Sequence, residues 1–304
     1  MIYLRPIGGL CNRMRAIDSF LTFSKATGRP ITVIWINNNK LNASLDDLFE
    51  PFEQDKLKII ELNPFSSLSD KLIVKCLDLA EKTISPFLRR LYLILALKRF
   101  DFGAIKTNPE WAGIYNSMEL IGSNTMRETE AAFHEKTRLT LEEIMRSKQV
   151  YISSCYRLYE SDDQYAKFIP VTAIQKQVDT IVSRFGQTYG LHIRAVNHPY
   201  ASKYSTVDKF EEKISGLLVE NADLSFFLAT DSGKVKDRLL KKYGPETIIT
   251  NPSEDYSRSD QEAIRQAVVD LYCLSKTKRI LGSMYSSFTL TAADIGRVND
   301  EIVK

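Results

Sequence analysis

Apolar runs typical of buried strands alternate with segments of helical periodicity along most of the chain. The run Ile31–Ile36 is apolar at nearly every position, as expected for a strand that is buried on both faces of a parallel sheet. Before it, the pattern predicts a strand at Ile2–Arg5, a turn-rich loop from Pro6 to Asn12 and a helix at Arg13–Thr27. Strand, loop, helix and strand make a βαβ unit, so the chain is predicted to open with a parallel sheet.

The second half of the chain shows the same alternation in a more regular form. Helices are predicted at Val171–Phe185, Thr206–Glu220, Gly233–Tyr243, Ser259–Lys276 and Ser287–Ile295. The strands between and before them are predicted at Thr188–Arg194, Ser225–Thr230, Glu246–Thr250 and Arg279–Gly282. Alternating helices and short buried strands predict a doubly wound α/β domain.

The region between these two parts is less regular. It predicts strands at Leu57–Leu62 and Val150–Cys155, helices at Lys71–Lys82 and Phe87–Phe102, and a loop-rich stretch from Thr107 to Thr129. The polar stretch Tyr156–Pro170 is the natural place for a boundary. We therefore expect two α/β domains, 1–160 and 161–304.

Composition fits this picture and excludes some function classes. The chain has 304 residues, of which 44% are hydrophobic and 26% charged, as in globular proteins of two ordinary domains. Lys and Arg total 41 against 38 for Asp and Glu, a net charge of +3 that gives no reason to expect a nucleic-acid partner. Four dispersed cysteines without a CxxC pair indicate no zinc or redox site, and a catalytic Cys11 is disfavoured because no base stands beside it. Without a signal-peptide pattern, a cytoplasmic protein is expected.

Ligands of open α/β sheets bind at the carboxyl ends of strands, which selects four loops. They are PIGGLCNR, HIRAVNH, ATDSG and GSMYSSFT, in chain order. In the first, Gly8 and Gly9 permit positive φ and close approach of a ligand, and Asn12 and Arg13 open a helix whose N-terminus favours anions. An ordinary tight turn explains the same residues equally well.

The other three loops carry polar groups suited to an anion. His192 and Arg194 point to one face of a strand end, and Arg grips phosphate in a bidentate way; the alternative is a surface Arg beside a core His. Asp231 follows an apolar strand and can accept hydrogen bonds from a ribose or base, or cap the next helix. The last loop places Ser286, Ser287 and Thr289 at a strand-to-helix turn that can bind phosphate, with Phe288 in the core or stacked on a base.

The order of these motifs resembles the fucosyltransferase group that includes protein O-fucosyltransferases and nodulation-type α-1,6-fucosyltransferases. The matching elements are the loop GGLCNR with Gly9, Asn12 and Arg13, the triplet His192-Ile193-Arg194, and the turn Ser286-Ser287-Phe288-Thr289. The helix containing Asp270-Leu271-Tyr272 also looks like a helix of the protein O-fucosyltransferases. The motifs span nearly the whole chain, and each is short, so they are informative only as an ordered set.

The resemblance implies a GT-B-like fold, in which two Rossmann-type doubly wound domains face a central cleft, with the acceptor on the N-terminal side. It implies inverting transfer from GDP-fucose to a saccharide, with GDP as product and no metal required. Arg194 and the turn Ser286–Thr289 would then hold the diphosphate, with Phe288 against the nucleoside and Asn12 approaching the donor. His192, Asp231 and Asp270 would be candidates for ribose or guanine contacts.

This chain departs from the family pattern at several positions. Relatives often carry HxRRxD, whereas here Ala195 and Asn197 replace the second Arg and the Asp; Ser232 follows Asp231 where a paired acid is common. These departures leave the donor sugar open. No general base is evident: His198 is the first candidate because imidazole titrates near neutral pH, against a solvent-facing loop histidine, and Asp18 is a weaker one.

The segment Phe87–Phe102 combines basic residues with an apolar middle. It can lie on a membrane surface, which would place the protein peripherally at the inner face of the membrane, or cover the core of the N-terminal domain with its basic ends in solvent. The second alternative is the simpler one.

Three functions remain open at this level. The first is a GDP-fucose-dependent glycosyltransferase. The second is a transferase of the same fold that uses another nucleotide sugar, and the third is a non-catalytic nucleotide- or glycan-binding protein. A dinucleotide-binding oxidoreductase is disfavoured, because GGLCNR is not GxGxxG and Asn37–Asn39 stand where an acidic residue is expected.

Overall fold

The protein folds into two compact units. The structure, a computed structural model, describes residues 1–98, 104–107, 141–159, 163–196, 199–253, 256–257 and 259–304. The first unit comprises Met1–Asp46 and Pro51–Phe168, and the second comprises Asp47–Glu50 and Ile169–Lys304. The sequence placed the division after residue 160 and did not anticipate that Asp47–Glu50 goes with the second unit.

Contacts of this short segment explain its assignment. The Glu50 N–H donates to Ile169 O at 2.8 Å and the Val171 N–H donates to Leu48 O at 3.1 Å, forming a local antiparallel pairing. The Asp47 carboxylate accepts a bond from Arg265 Nη2 at 3.0 Å.

The first unit is built on a parallel sheet. Its strands in the described residues are β1 (Ile2–Pro6), β2 (Ile31–Ile36), β3 (Leu57–Leu62), β4 (Ala104–Lys106) and β5 (Val150–Ser154), in the order β3-β2-β1-β5-β4. Every pairing is parallel, with Ile2 opposite both Ile31 and Val150. The parallel sheet predicted from the apolar runs is confirmed.

Three helices pack on this sheet. Helix α1 (Leu10–Thr27) is buried around most of its circumference. Helices α2 (Leu68–Lys82) and α3 (Pro86–Leu97) form a hairpin whose buried residues, Leu77 and Leu93 among them, pack on the face of Tyr3, Ile34 and Tyr151. Residues 141–146 are also helical.

The second unit is built on another parallel sheet. Its strands are β6 (Thr188–Ile193), β7 (Ser225–Thr230), β8 (Ile248–Thr250), β9 (Arg279–Gly282) and β10 (Asn299–Ile302), in the order β10-β9-β6-β7-β8. Its helices are α4 (Thr172–Val182), α5 (Pro199–Tyr204), α6 (Val207–Glu220), α7 (Gly233–Tyr243), α8 (Gln261–Ser275) and α9 (Ser287–Gly296). A core that includes Leu191, Phe226 and Leu281 lies between the sheet and the helices.

Most predicted elements are confirmed, and the differences concern polar or short segments. The predicted helix Phe87–Phe102 ends at Leu97, and Lys98 caps it in the left-handed conformation; residues 99–102 lie outside the described part, as do residues 108–129 of the predicted loop. The pattern gave no strand at Ala104–Lys106 or at Asn299–Ile302. Both are edge strands of three or four residues, too short to show a period.

A helix must be long and apolar to span the hydrocarbon core of a bilayer, and this requirement applies to the helices in the described part of the chain. In this part of the chain, none is both long and apolar enough to cross a membrane.

Candidate functional site

The centre of the second sheet is a topological switch point. From β6 the chain continues through β7 and β8 on one side, and β9 and β10 lie on the other side of β6. Strands β6 and β9 pair in parallel, with His192 opposite Gly282, so both end at the same edge. Ligands of open α/β sheets bind in the crevice outside such a point.

Ser283 ties the two strand ends together. This fully buried residue accepts the Arg194 N–H on its Oγ at 2.9 Å and donates the hydroxyl to His192 O at 3.1 Å. Its own N–H donates to the same carbonyl at 3.1 Å. Ser283 is not among the residues predicted from the sequence. The available signal was a polar residue directly after a buried strand, within one of the four loops.

Asp231 shapes the loop that follows β6. Its Oδ1 accepts the N–H groups of Ala195 and Val196 at 2.8 and 3.1 Å. Its Oδ2 lies 4.0 Å from Arg194 Nε, at the outer limit of an ion pair. The helix-cap alternative is wrong, because the N-cap position of α7 is Ser232. Asp231 instead holds the backbone of the two residues after Arg194.

His192 and Thr289 join β6 to α9. Their Nδ1 and Oγ1 atoms are hydrogen-bonded at 2.8 Å, and both side chains are buried. Phe288 stacks on the His192 ring with centroids 4.9 Å apart and an interplanar angle of 24°. Phe288 is half-buried, with one ring face against His192.

A glycine makes the approach of α9 possible. A Cβ on Gly282 would lie 2.2 Å from Thr289 Cγ2, far inside van der Waals distance. Gly282 therefore lets the first turn of α9 rest directly on the end of β9.

The N-terminus of α9 is open to an anion. Ser286 occupies the N-cap position without a side-chain cap bond, and Tyr285 before it adopts a left-handed φ of 53°. The first N–H groups of any helix have no acceptor within the helix, so those of Ser287, Phe288 and Thr289 point out of its end. Such an end favours a negatively charged group such as phosphate. The Arg194 guanidinium, on a side chain 19% exposed, stands at the end of the adjoining strand.

Asp270 belongs to a different group of residues. It lies within α8, where Asn251, directly after β8, donates a hydrogen bond to its carboxylate and the Lys236 cation is close by. The residue is partly exposed, but its Oδ1 is enclosed. Burial raises the pKa of Asp270 to about 7, because it penalises the charged form, while Asn251 and Lys236 act in the opposite direction. No contact described here joins Asp270 to Arg194.

The Gly-rich loop of the first unit is positioned by buried arginines. Gly8 has φ of 89°, as expected for a turn that requires glycine, whereas Gly9 is extended and serves as the N-cap of α1. Arg13 is fully buried and donates to Gly8 O, Ile36 O and Asn38 Oδ1. Arg15 donates to Asn12 Oδ1 at 3.3 Å and to Cys155 O at 2.9 Å.

Of the two candidates for the general base, Asp18 and His198, only Asp18 lies in the described part of the chain. Asp18 is buried in an ion pair with Arg157 at 2.6 Å and accepts the Tyr165 N–H at 2.9 Å, contacts that hold it as a structural carboxylate. His198 lies outside the described residues, as does Asn197. Cys11 is buried within α1.

In the part of the chain that is described, no three His, Cys, Asp or Glu residues are grouped as a metal site would require.

Comparison by sequence finds no match, neither to a protein family nor to a curated protein. Comparison by structure finds matches over nearly the whole chain. NodZ α-1,6-fucosyltransferase soaked with GDP-fucose is 16% identical, with a TM-score of 0.59 over 97% of this chain and 92% of that one. An Arabidopsis thaliana FUT1 mutant in complex with GDP is 13% identical, with a TM-score of 0.59 over 99% and 69% of the two chains.

POFUT1 in its apo form is 12% identical, with a TM-score of 0.51 over 99% of this chain and 97% of that one. The expected fold class, α/β of the GT-B type with two Rossmann-like domains, is therefore confirmed. The chain has the fold of these fucosyltransferases.

Proposed function

We propose that this protein is an inverting glycosyltransferase that transfers fucose from GDP-fucose to a saccharide acceptor. The observation that carries the proposal is the arrangement at the β6/β9 switch point. There, Arg194 follows the end of β6 and the uncapped N-terminus of α9 follows the end of the neighbouring β9, which supports a role for both in binding one anion. A nucleoside diphosphate is the ligand whose charge and size suit this pair.

The same groups serve the chemistry of transfer. In the reaction, the acceptor hydroxyl attacks the anomeric carbon as the bond from that carbon to the diphosphate oxygen breaks. The electron pair of the broken bond goes to the leaving diphosphate, which gains negative charge, and the hydroxyl proton goes to a base. A guanidinium and helix N–H groups that already face the diphosphate stabilise this charge as it develops.

The residues around Arg194 fall into two roles. We assign the diphosphate contacts to Arg194 and to Ser286, Ser287 and the backbone N–H of Thr289. The buried side chains of His192 and Thr289 and the half-buried carboxylate of Asp231 position these groups, since their polar atoms bond within the protein. Phe288 contacts the nucleoside with the ring face that His192 does not cover.

The Gly-rich loop of the first unit also contains both kinds of residue, those proposed to contact the donor and those that position the loop. Gly9 and Asn12 remain candidates for donor contact. Arg13 acts through the loop instead, because its guanidinium is fully buried and bonds to the carbonyls of Gly8 and Ile36. For Asp270, a contact with the ribose or guanine rests on the family resemblance alone, because its neighbours Asn251 and Lys236 are not among the residues around Arg194.

The choice of GDP-fucose rests on the solved structures of similar fold. NodZ α-1,6-fucosyltransferase was crystallised with GDP-fucose and with GDP, and the plant FUT1 mutant with GDP. Another nucleotide sugar is the second candidate, because Ala195 and Asn197 replace the Arg and Asp that relatives often carry after the first Arg.

Calorimetric titration with GDP tests the binding site. Arg194→Ala should weaken GDP binding by about tenfold or more, since a charge-assisted contact contributes roughly 1.5–3 kcal/mol. Arg184→Ala is the matched control, an exposed arginine on the approach to β6, and should bind GDP as the natural chain does. Equal affinity in the Arg194 variant would remove the assignment.

A donor panel then tests the reaction. Thermal stabilisation by GDP-fucose above that by other nucleotide sugars supports the proposed donor, and the reverse order selects the second candidate. Release of GDP with an acceptor present separates an enzyme from a binding protein. Stabilisation by GDP-fucose without transfer or hydrolysis would leave the non-catalytic alternative.

A further inference from the structure

The hairpin of α2 and α3 exposes an apolar surface that the first unit does not cover. Among the large apolar side chains exposed in the described parts of the chain, eight of fourteen lie between Phe65 and Leu95. We call these eight residues the hairpin face: Phe65, Leu68, Leu72, Ile84, Phe87, Leu88, Leu91 and Leu95. The exposed fraction reaches 92% for Ile84 and 75% for Leu68.

Helical geometry groups these residues on one side of each helix. With 100° between successive residues, Phe87, Leu88, Leu91 and Leu95 fall within an arc of about 100° on α3. On α2, Leu68 and Leu72 lie one turn apart. The opposite sides carry Leu77 and Leu93, both fully buried against the sheet. Helix α3 is therefore apolar on two sides, and the protein's own core accounts for only one of them.

Basic residues surround this apolar surface. Lys71, Lys75, Lys82, Arg90 and Lys98 are all exposed, and none forms an ion pair among the residues that the structure describes. On the helical wheel of α2, the three lysines adjoin Leu68 and Leu72, and Arg90 adjoins Phe87 on α3.

The carboxylates of the same segment are already engaged. Asp78 and Glu81 pair with the buried Arg5 at 2.6 and 2.9 Å. Asp70 accepts the Asn63 N–H at 2.9 Å. The hairpin face thus presents aliphatic and aromatic side chains beside five cations, and Asp70 is the one carboxylate between Phe65 and Lys98 that no cation pairs in the described residues.

We propose that the hairpin face docks on the surface of an anionic phospholipid bilayer. Interfacial helices of this kind insert apolar side chains below the headgroups and place Lys and Arg among the phosphates. A protein partner is the weaker choice, because lysine is depleted in protein interfaces relative to the rest of the surface, and four of the five cations that border the hairpin face are lysines. The inference is independent of the proposed enzymatic function.

Vesicle flotation with the full chain tests the proposal. The protein should float with vesicles that contain phosphatidylglycerol, bind pure phosphatidylcholine vesicles much more weakly, and dissociate as salt is raised. The double change Phe87→Ser with Leu91→Ser should abolish flotation. Val219→Ser, at an exposed apolar position of α6, is the matched control and should not affect it.

A second set of variants examines charge without touching the apolar residues. Each basic residue near an anionic surface contributes roughly fivefold to partitioning, so Lys71→Gln, Lys75→Gln and Arg90→Gln together should lower it by about a hundredfold. Lys234→Gln with Lys241→Gln, exposed on α7, should leave it unchanged. Thermal melting shows whether each variant is folded.

Three results would overturn the proposal. They are no flotation with anionic vesicles, flotation that Phe87→Ser with Leu91→Ser does not reduce in a folded chain, and a dimer in solution that this double change converts to a monomer.

Discussion

At the scale of single residues, the site depends on side chains that a ligand does not touch. Ser283 bonds to both neighbours of Ile193, and Asp231 bonds to the two residues after Arg194. Beyond the end of β6, the backbone N–H groups have no acceptor on a neighbouring strand in the described part of the chain. The side-chain oxygens of Ser283 and Asp231 accept these hydrogen bonds instead. The backbone on both sides of Arg194 is therefore held by side chains from two other segments of the chain.

The Asp231 carboxylate gives the first prediction. Asp231→Ala leaves the N–H groups of Ala195 and Val196 without their acceptor and removes the partner of Arg194. We expect GDP affinity to fall by about tenfold, because a loop held by two bonds becomes free to move. Ser232→Ala is the control, since this N-cap residue makes no side-chain cap bond. Calorimetry on both variants decides, and equal affinities would contradict the role given to Asp231.

Asp270 gives the second prediction, on pH. Its folded pKa of about 7 lies above the ordinary value of 3.8, so the folded state holds a proton that the unfolded chain has released. This contribution to stability is complete below the unfolded pKa and is lost as the pH rises through the folded one. Asp270→Asn removes the titration and keeps the shape.

The measurement is urea unfolding of both proteins at about pH 5 and about pH 7.5. From the lower to the higher pH, the natural chain should lose about 2–3 kcal/mol of unfolding free energy relative to the variant. A difference that does not change with pH would show that Asp270 titrates normally.

Residue roles were the part that the sequence predicted least well. The order of motifs located His192, Arg194 and the turn Ser286–Thr289 at one sheet edge, and the structure brings them together. It could not tell which polar atoms face a ligand, because Thr289 and His192 bond to each other across ninety-seven residues. Arg13 likewise stands in a ligand-type loop, yet its burial depends on the distant strand β2.

At the scale of elements, helix α9 is placed by contact with backbone at both of its ends. Thr289 lies on Gly282, and a Cβ at Gly296 would stand 2.0 Å from Ser275 O on α8. A helix of ten residues that is held so closely has little freedom to shift, and its N-terminus stays aligned with the end of β9.

The third prediction concerns Gly282. Gly282→Ala must displace Thr289 and with it the first turn of α9, so we expect a loss of about 1–3 kcal/mol of stability and weaker GDP binding. Gly216→Ala is the control: nothing lies within 4 Å of its Cβ position on α6, and alanine there should be neutral or stabilise by up to about 1 kcal/mol. Urea denaturation of the two variants measures the contrast, and equal stability would refute the close packing.

Elements with a clear apolar run were predictable, and those without one were not. Strand β2 is buried at all six positions and strand β7 at its four central ones, and both carry nearly continuous apolar runs there. Strand β10 has the sequence NDEI and lies at the edge of the sheet, where it pairs with one strand only and is little buried. Its sequence therefore shows no alternation of apolar and polar residues. The position of such a strand is set by its partner β9.

At the scale of the whole molecule, each unit has its own sheet and its own core. Because a nucleotide could contact residues of either unit, its contacts are best located by a method that covers the entire chain. The alternating apolar and polar segments predicted two α/β domains. They did not predict that Asp47–Glu50 belongs to the second unit, because a segment of four residues is too short to show a hydrophobic period.

The fourth prediction is the footprint of GDP in hydrogen exchange. We expect slower exchange at the residues after β6, at the turn between β9 and α9, and in the first turn of α9. Helix α6 should exchange at the same rate with and without GDP. The experiment also examines Gly9, Asn12 and Arg13, since slower exchange in that loop is the expected sign of donor contact. Protection confined to other segments would place the nucleotide elsewhere.

The fit of Thr289 against Gly282 has a consequence for any collection of related sequences. The two positions share one small volume, so they should vary together: a side chain at 282 requires a smaller one at 289. Because Thr289 also holds the His192 ring, loss of its hydroxyl should accompany a change at 192. We therefore expect positions 192, 282 and 289 to covary, because Thr289 contacts both Gly282 and His192.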